Sequence, residues 1–151
     1  MAYIPEDARW YIADLVLEHH VTGDTRNLVH VNIHLIEAGS PDEAYEKAMT
    51  LGKESELAYT NADGKEVRSV FRGLRDLNVI HDKLEDGAEL AYEESVDVPE
   101  AELASSLSAK EDLGVFRKRQ AKPELMQFAS GDIIKQLKDA GFTPGQLAGE
   151  A

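Results

Sequence analysis

Four polar side chains in the first quarter of the chain have types and spacing that could do chemistry. Asp14 and Glu18 lie in WYIADLVLEHH, and His30 and His34 lie in LVHVNIHLIE, beyond a short polar turn. Carboxylates and imidazoles bind zinc and similar divalent metals, and a carboxylate beside an imidazole tunes it for proton transfer. If the four side chains share one surface, they predict a divalent-metal site or an acid–base site.

Two predicted strands, residues 10–20 and 28–37, must position these side chains. Residues 29, 31, 33 and 35 of the second strand are all aliphatic, and the first strand carries a matching apolar row at positions 11, 13, 15 and 17. If opposed residues share parity, both odd-numbered rows face the core and the even-numbered residues share the other face. One such register sets Glu18 opposite His30 and Asp14 opposite His34, each pair ~5 Å apart, while His19 points the other way.

The same pattern has a plainer interpretation as a solvated sheet face. Alternation alone places polar residues on one face of many antiparallel sheets, where charge pairs contribute little stability. The even-numbered row, however, also contains Trp10, Ile12, Val16 and Ile36. These residues are too apolar for a bare surface, so we expect the C-terminal helices or a partner to cover it. Trp10 is therefore a candidate binding residue.

Three arginines form a second group of candidate binding residues. Arg68 and Arg72 share parity on a predicted strand, and Arg75 follows a bend at Gly73. Guanidinium groups in this arrangement could bind a small anionic molecule. The alternative is that they balance the many nearby acidic residues.

Catalytic motifs are missing or out of context. Pro41-Asp42 with Asp63-Gly64-Lys65 matches the bare pattern of a restriction-type nuclease. That chemistry needs the acids and the lysine on adjacent strands around a metal, whereas Asp42 falls in the first turn of a predicted helix. G-x-S-x-G, P-loop and G-x-G-x-x-G motifs do not occur in the sequence. These observations favour a non-enzymatic protein.

Composition narrows the function classes further. The chain has 151 residues, no cysteine and a formal net charge of −13. Disulfides, thiolate catalysis and cysteine-ligated zinc are excluded. A negative field repels nucleic acids; it favours a basic partner or simply keeps the protein soluble. No apolar run reaches the ~18 residues of a membrane span, and the first residues do not resemble a secretory signal. We therefore expect a cytoplasmic protein.

The remaining patterns indicate an α+β fold. Ser40, Pro41 and Glu43 form a capping box and predict a helix that ends near Gly52. A second hairpin follows with its turn at 61–64, residues 75–87 are either extended or a short helix, and residues 88–96 predict a fifth strand. We expect an antiparallel sheet of about five strands with one packed helix (β-β-α-β-β-β). A core domain at 1–98 would precede a helical extension at 99–151, whose apolar stripe includes Met126, Ile133 and Leu137.

Three segments of the sequence resemble a bacterial family catalogued only as a domain of unknown function. They are WYIADLV, the helix start LIEAGSPDEAYEKA and FRGLRDL. The resemblance covers about residues 10–95 and implies the domain limits. It implies no activity, catalytic residue or ligand.

We therefore expect a small acidic bacterial protein that acts without catalysis by binding a protein partner or a second copy of itself. The alternative is a metal-binding protein or metal-dependent hydrolase that uses Asp14, Glu18, His30 and His34. A third hypothesis is small-molecule binding by the arginines near Gly73. The leading hypothesis requires no cofactor, and the alternative requires a divalent metal.

Overall fold

The first part of the chain folds into a four-stranded antiparallel sheet with one helix in the computed structural model, which describes residues 3–118 and 139–141. The elements, in chain order, are β1 (Trp10–Val21), β2 (Leu28–Glu37), α1 (Pro41–Glu54), β3 (Leu57–Thr60), β4 (Glu66–Val79), α2 (Glu100–Ser105) and a 3₁₀ helix (Lys110–Asp112). The sheet order is β2-β1-β4-β3, so β2 and β3 form its two edges. The prediction of an antiparallel sheet with a packed helix is confirmed.

Helix α1 begins where the capping signal predicts. The Ser40 side chain accepts a hydrogen bond from the Glu43 backbone N–H at 3.1 Å, and Pro41 occupies the first turn. The Glu43 carboxylate in turn accepts a hydrogen bond from the backbone N–H of Gly39 at 2.8 Å. The helix continues two residues past Gly52, so Gly52 serves packing within the helix.

The helix packs on one face of the sheet, called here the helix face. Ala44, Ala48 and Gly52 form the buried side of α1. A Cβ atom at Gly52 would overlap the ring of Phe71 in β4, so the absence of a side chain lets the helix approach the strand closely. The sheet contributes to this core the buried residues Tyr11, Ala13, Leu15, Leu17, Ile36 and Phe71.

The β1–β2 register differs from the expected one, because odd-numbered residues of β1 lie opposite even-numbered residues of β2. Glu18 pairs with Val29, and Asp14 pairs with Ile33. In an antiparallel pair, opposed side chains point to the same face. The core row of β1 therefore shares the helix face with the even-numbered row of β2, including His30 and His34. The expectation that the aliphatic row 29–35 faces the core is wrong.

Strand β4 contains two irregularities where it pairs with β1. The register shifts by one residue between Asp14 and Leu15 and again between Val16 and Leu17. Each shift leaves one extra residue in β4, Arg75 in the first case and Arg72 in the second. Between them, Gly73 adopts a φ of 130°, a conformation that L side chains rarely adopt. The two bulges set where the arginines emerge from the sheet.

The fifth strand predicted at 88–96 is not present, and the ambiguous segment after Arg75 continues β4 up to Val79. Leu90 and Tyr92, which would have faced inward in a fifth strand, are exposed instead. The segment carries acidic residues at positions 89, 93 and 94 and has no sheet partner to bury its apolar side chains.

Residues 3–92 form one compact unit, and residues 93–118 with 139–141 belong to a second. The second unit contains α2 and the 3₁₀ helix, two short helices within the predicted helical stretch that opens at Pro99. The predicted stripe at Met126, Ile133 and Leu137 lies outside the described residues. A separate helical domain at 99–151 stays a prediction. None of the helices in the described residues is long and apolar enough to cross a membrane.

Candidate functional site

The sheet face opposite α1, called here the outer face, brings together most of the residues that the sequence singled out. Trp10, Asp14 and Glu18 project there from β1, because they alternate with the buried row. Arg68 of β4 lies opposite His20 and shares this face. The bulged Arg72 and Arg75 reach the same face through their side chains.

Asp14 is paired with Arg75. The Nη2 atom of Arg75 lies 2.6 Å from Oδ2 of Asp14, and its Nε atom donates to the same oxygen at 3.0 Å. The Asp14 side chain is only 15% exposed. The guanidinium therefore neutralises a largely covered carboxylate, and Asp14 is engaged in a structural ion pair.

Glu18 is surrounded by three polar neighbours. The Asn27 side chain donates to Oε2 at 2.7 Å, Nε2 of His20 lies 3.2 Å from Oε1, and Arg72 lies 3.8 Å from the same oxygen. The hydrogen bond from Asn27, followed by that from His20, lowers the pKa of Glu18 below its ordinary value. A carboxylate with a lowered pKa stays ionised at neutral pH, which suits charge pairing better than proton donation.

The other two candidate binding residues lie far apart along the sheet: Trp10 begins β1, and Arg68 of β4 pairs with His20 near the other end of β1. Arg68 lies 3.6 Å from Glu66 on its own strand, and both side chains are exposed. Trp10 is half-buried and lies opposite Glu37 of β2, and Glu37 accepts a hydrogen bond from Arg9 at 2.6 Å. The three candidate arginines are thus each close to a carboxylate, which agrees with the charge-balancing interpretation.

The middle of the outer face is apolar. The odd-numbered row of β2 projects there, and three of its members are substantially exposed: Val29 by 50%, Ile33 by 60% and Leu35 by 49%. Half-buried Ile12 and Val16 of β1 lie beside them, opposite Leu35 and Val31. We call Ile12, Val16, Val29, Val31, Ile33 and Leu35 the apolar strip. Sequence reasoning placed the β2 part of this strip in the core, because parity within a strand does not fix its register with the next strand.

Two of the histidines, His19 and His30, meet on the helix face. His19 and His30 pack edge to face with their ring centroids 4.7 Å apart. Nδ1 of His19 lies 2.6 Å from Oγ of the buried Ser69, at hydrogen-bonding distance. Burial, followed by the nearby imidazoles of His30 and His20, lowers the pKa of His19. The expectation that His19 points away from His30 is wrong. It assumed that odd-numbered residues of β1 pair with odd-numbered residues of β2, whereas they pair with even-numbered ones.

The register therefore separates the four side chains of the predicted metal or acid–base site. Asp14 and Glu18 lie on the outer face, whereas His30 and His34 lie on the helix face. Within residues 3–118 and 139–141, no group of three or more His, Asp and Glu side chains is arranged to hold a metal ion. The four residues therefore do not share one face in this register, and metal binding stays a prediction.

The family model of a domain of unknown function (DUF4288) matches residues 10–92. This span covers the whole sheet and α1. The chain belongs to the DUF4288 family. The match agrees with the resemblance seen in the sequence. No curated protein and no solved structure matched the chain.

The DUF4288 region carries the features described above. Its motif segment WYIADLV supplies the buried row of β1 together with Asp14, and FRGLRDL contains both bulges of β4. The helix start LIEAGSPDEAYEKA supplies the cap at Ser40 and two of the buried small residues of α1, Ala44 and Ala48. The family match assigns no activity to these residues.

Proposed function

We propose that this DUF4288 protein is a non-enzymatic protein-binding module, and that the apolar strip on the outer face is its binding surface. The observation that carries the proposal is the exposure of Val29, Ile33 and Leu35 by about half or more on a regular strand. Contiguous apolar surface of this kind marks interaction sites in soluble proteins. The proposed setting is the bacterial cytoplasm.

The charges beside the strip support binding over catalysis. The pairs Asp14–Arg75 and Glu18–Arg72 join opposite charges at 2.6 Å and 3.8 Å respectively. Both carboxylates lie on β1, beside the apolar row of β2, and Asp14 is directly opposite Ile33. Residues 28–36 contain no Asp, Glu, Lys or Arg. The surface thus combines an uncharged, largely apolar β2 row with paired charges on the β1 side, and protein–protein interfaces likewise combine apolar and polar surface. Carboxylates held by arginines are poorly placed to act as general acids or bases.

A photo-crosslinking side chain placed at Ile33 tests the proposal. Ile33 is 60% exposed, so the replacement leaves the core intact. We expect irradiation of cells to yield a defined crosslinked polypeptide, and we expect Ile33→Lys to abolish its capture in a pull-down. Leu57→Lys is the matched control, because Leu57 is 59% exposed on the other edge strand. Equal loss of capture by both variants, or no crosslink at position 33, contradicts the proposal.

A further inference from the structure

The outer edge of β2 has a hydrogen-bonding capacity that the described residues leave largely unused. Its last residue is the exception, because Nζ of Lys47 donates to the backbone oxygen of Glu37 at 2.7 Å. In the described part of the chain β2 pairs only with β1, so the backbone N–H and C=O groups along its other side point away from the sheet. A row of such groups is a template for one more strand. We propose that β2 pairs antiparallel with the β2 of a second copy of this chain. The inference rests on the proposed function and names the partner.

Strand β2 lacks the features that usually block an edge. Natural edge strands are kept short, carry lysine or proline, or bulge away from neighbours. Strand β2 is 10 residues long and contains no Pro, Lys or Arg, and its pairing with β1 runs without a register shift. The opposite edge, β3, is only four residues long. The two edges therefore differ as pairing surfaces, and β2 is the one suited to accept a strand.

The charge pattern favours a second copy over a charged peptide. The whole chain carries −13, and two such chains repel each other over most of their surfaces. Strand β2 carries little of this charge, because Glu37 at its end is its only acidic residue. Two β2 strands can approach without opposing charges of the same sign, whereas a basic or acidic peptide would find no counter-charge along residues 28–36.

Two-fold symmetry fixes the possible registers. When a two-fold axis relates two antiparallel copies of one strand, one residue lies at the axis and faces the same residue of the other copy. With Asn32 at that position, the aliphatic row matches itself completely: Val29 faces the partner's Leu35 and Val31 faces the partner's Ile33. Centring on residue 33 would set Val29 against the partner's Glu37, and centring on residue 31 would set Leu35 against the partner's Asn27. We therefore assign the axis to Asn32.

This register places His30 opposite the partner's His34 on the helix face, and continues the apolar strip across both copies. The pairing joins two four-stranded sheets into one of eight strands. One strand edge buries less than the ~800 Å² per partner of a standard interface. We therefore expect a dimer whose fraction rises with protein concentration, with a dissociation constant on the order of micromolar or higher.

Because the chain contains no cysteine, single cysteines can report the register directly. Opposed Cα atoms lie about 4.5–5.5 Å apart, within the range that a disulfide spans. We expect Asn32→Cys to form a disulfide dimer under mild oxidation. His30→Cys and His34→Cys, whose own copies would be more than about 13 Å apart, should crosslink only when the two variants are mixed. Leu28→Cys, farther from the axis, should stay monomeric.

Sedimentation of the full chain provides the second measurement. We expect a monomer–dimer equilibrium that Ile33→Lys shifts to monomer and Leu57→Lys leaves unchanged. A monomer at millimolar concentration, or crosslinking that is equal at positions 28 and 32, overturns the inference. If such a monomer still yields a crosslinked foreign polypeptide at position 33, the second copy is excluded while the proposed function stands. If position 33 yields no crosslink to any polypeptide, including its own copy, both fail.

Discussion

Arg75 Nη2 and Asp14 Oδ2 lie 2.6 Å apart, although 61 residues separate them in the chain. A bulge in β4 makes this contact, because the extra residue at position 75 falls beside the strand that carries Asp14. The partner of Asp14 is thus an arginine from a later strand, whereas the sequence had suggested a histidine from the adjacent one. Asp14 lies opposite Ile33 of the apolar strip, so the pair compensates a charge that would otherwise lie unpaired within it.

The first prediction concerns the strength of this pair. We expect a double-mutant cycle of Asp14→Asn and Arg75→Ala to give a coupling free energy of about 0.5–1 kcal/mol in urea unfolding, since Asp14 is mostly covered but Arg75 is exposed. The control is the pair Arg9–Glu37, which has the same separation but greater exposure of both side chains. We expect a smaller coupling there, and an equal or larger one would contradict the role of burial.

The second prediction tests the strand register. Leu15→Ala should lower the free energy of unfolding by about 2–5 kcal/mol, because Leu15 is fully buried on the helix face. Ile33→Ala should change it by no more than about 0.5 kcal/mol, measured at a concentration where the chain is monomeric. A cost at Ile33 comparable to that at Leu15 would place the aliphatic row of β2 in the core and overturn the register.

The third prediction concerns the close approach of α1 to β4. Gly52→Ala adds a Cβ atom where the Phe71 ring lies, so we expect a loss of about 1–3 kcal/mol in the free energy of unfolding. Phe71→Leu in the same chain should recover part of that loss by making room. Gly114→Ala, which meets no neighbouring atom, is the control and should be nearly neutral.

The fourth prediction concerns the start of α1. Ser40→Ala removes the acceptor for the Glu43 N–H and should lower the free energy of unfolding by about 1 kcal/mol. Ser40→Asp restores a side-chain acceptor and should be close to wild type. Thermal unfolding followed by circular dichroism measures both variants. If Ser40→Asp were as unstable as Ser40→Ala, the hydrogen bond would not be the cause.

The fifth prediction concerns pH. The pKa of His19 is lowered from its ordinary value of 6.5, first by burial and then by the neighbouring imidazoles. Below pH 6.5, His19 is therefore protonated more readily in the unfolded chain than in the folded chain. The contribution of His19 to stability is complete above that pH and is lost as the pH falls towards the lowered pKa.

We expect urea unfolding at pH 7.5 and 5.5 to show a smaller loss of stability on acidification for His19→Gln than for the wild type. His81→Gln is the control, because His81 is exposed and lies outside the His19–His30 pair. An unchanged loss in His19→Gln would remove His19 as the cause.

Local sequence determined the elements of this protein. Ser40, Pro41 and Glu43 fix the start of α1 through hydrogen bonds and φ preferences that involve only neighbouring residues. Alternation predicts β1 and β2 closely, and Asn61 and Gly64 mark the second hairpin. The prediction of a strand at 88–96 was wrong because a strand needs a partner strand, and alternation within the segment does not provide one.

Tertiary structure alone decided which side chains meet. The side-chain period of a strand is two, so a shift of one residue in the β1–β2 pairing moves a whole row to the other face. That shift places His30 and His34 on the helix face, whereas Asp14 and Glu18 lie on the outer face together with the exposed Ile33. The two bulges of β4 then brought Arg72 and Arg75 to those carboxylates. The sequence determined the chemistry that each strand carries, whereas the pairing between strands determined what that chemistry faces.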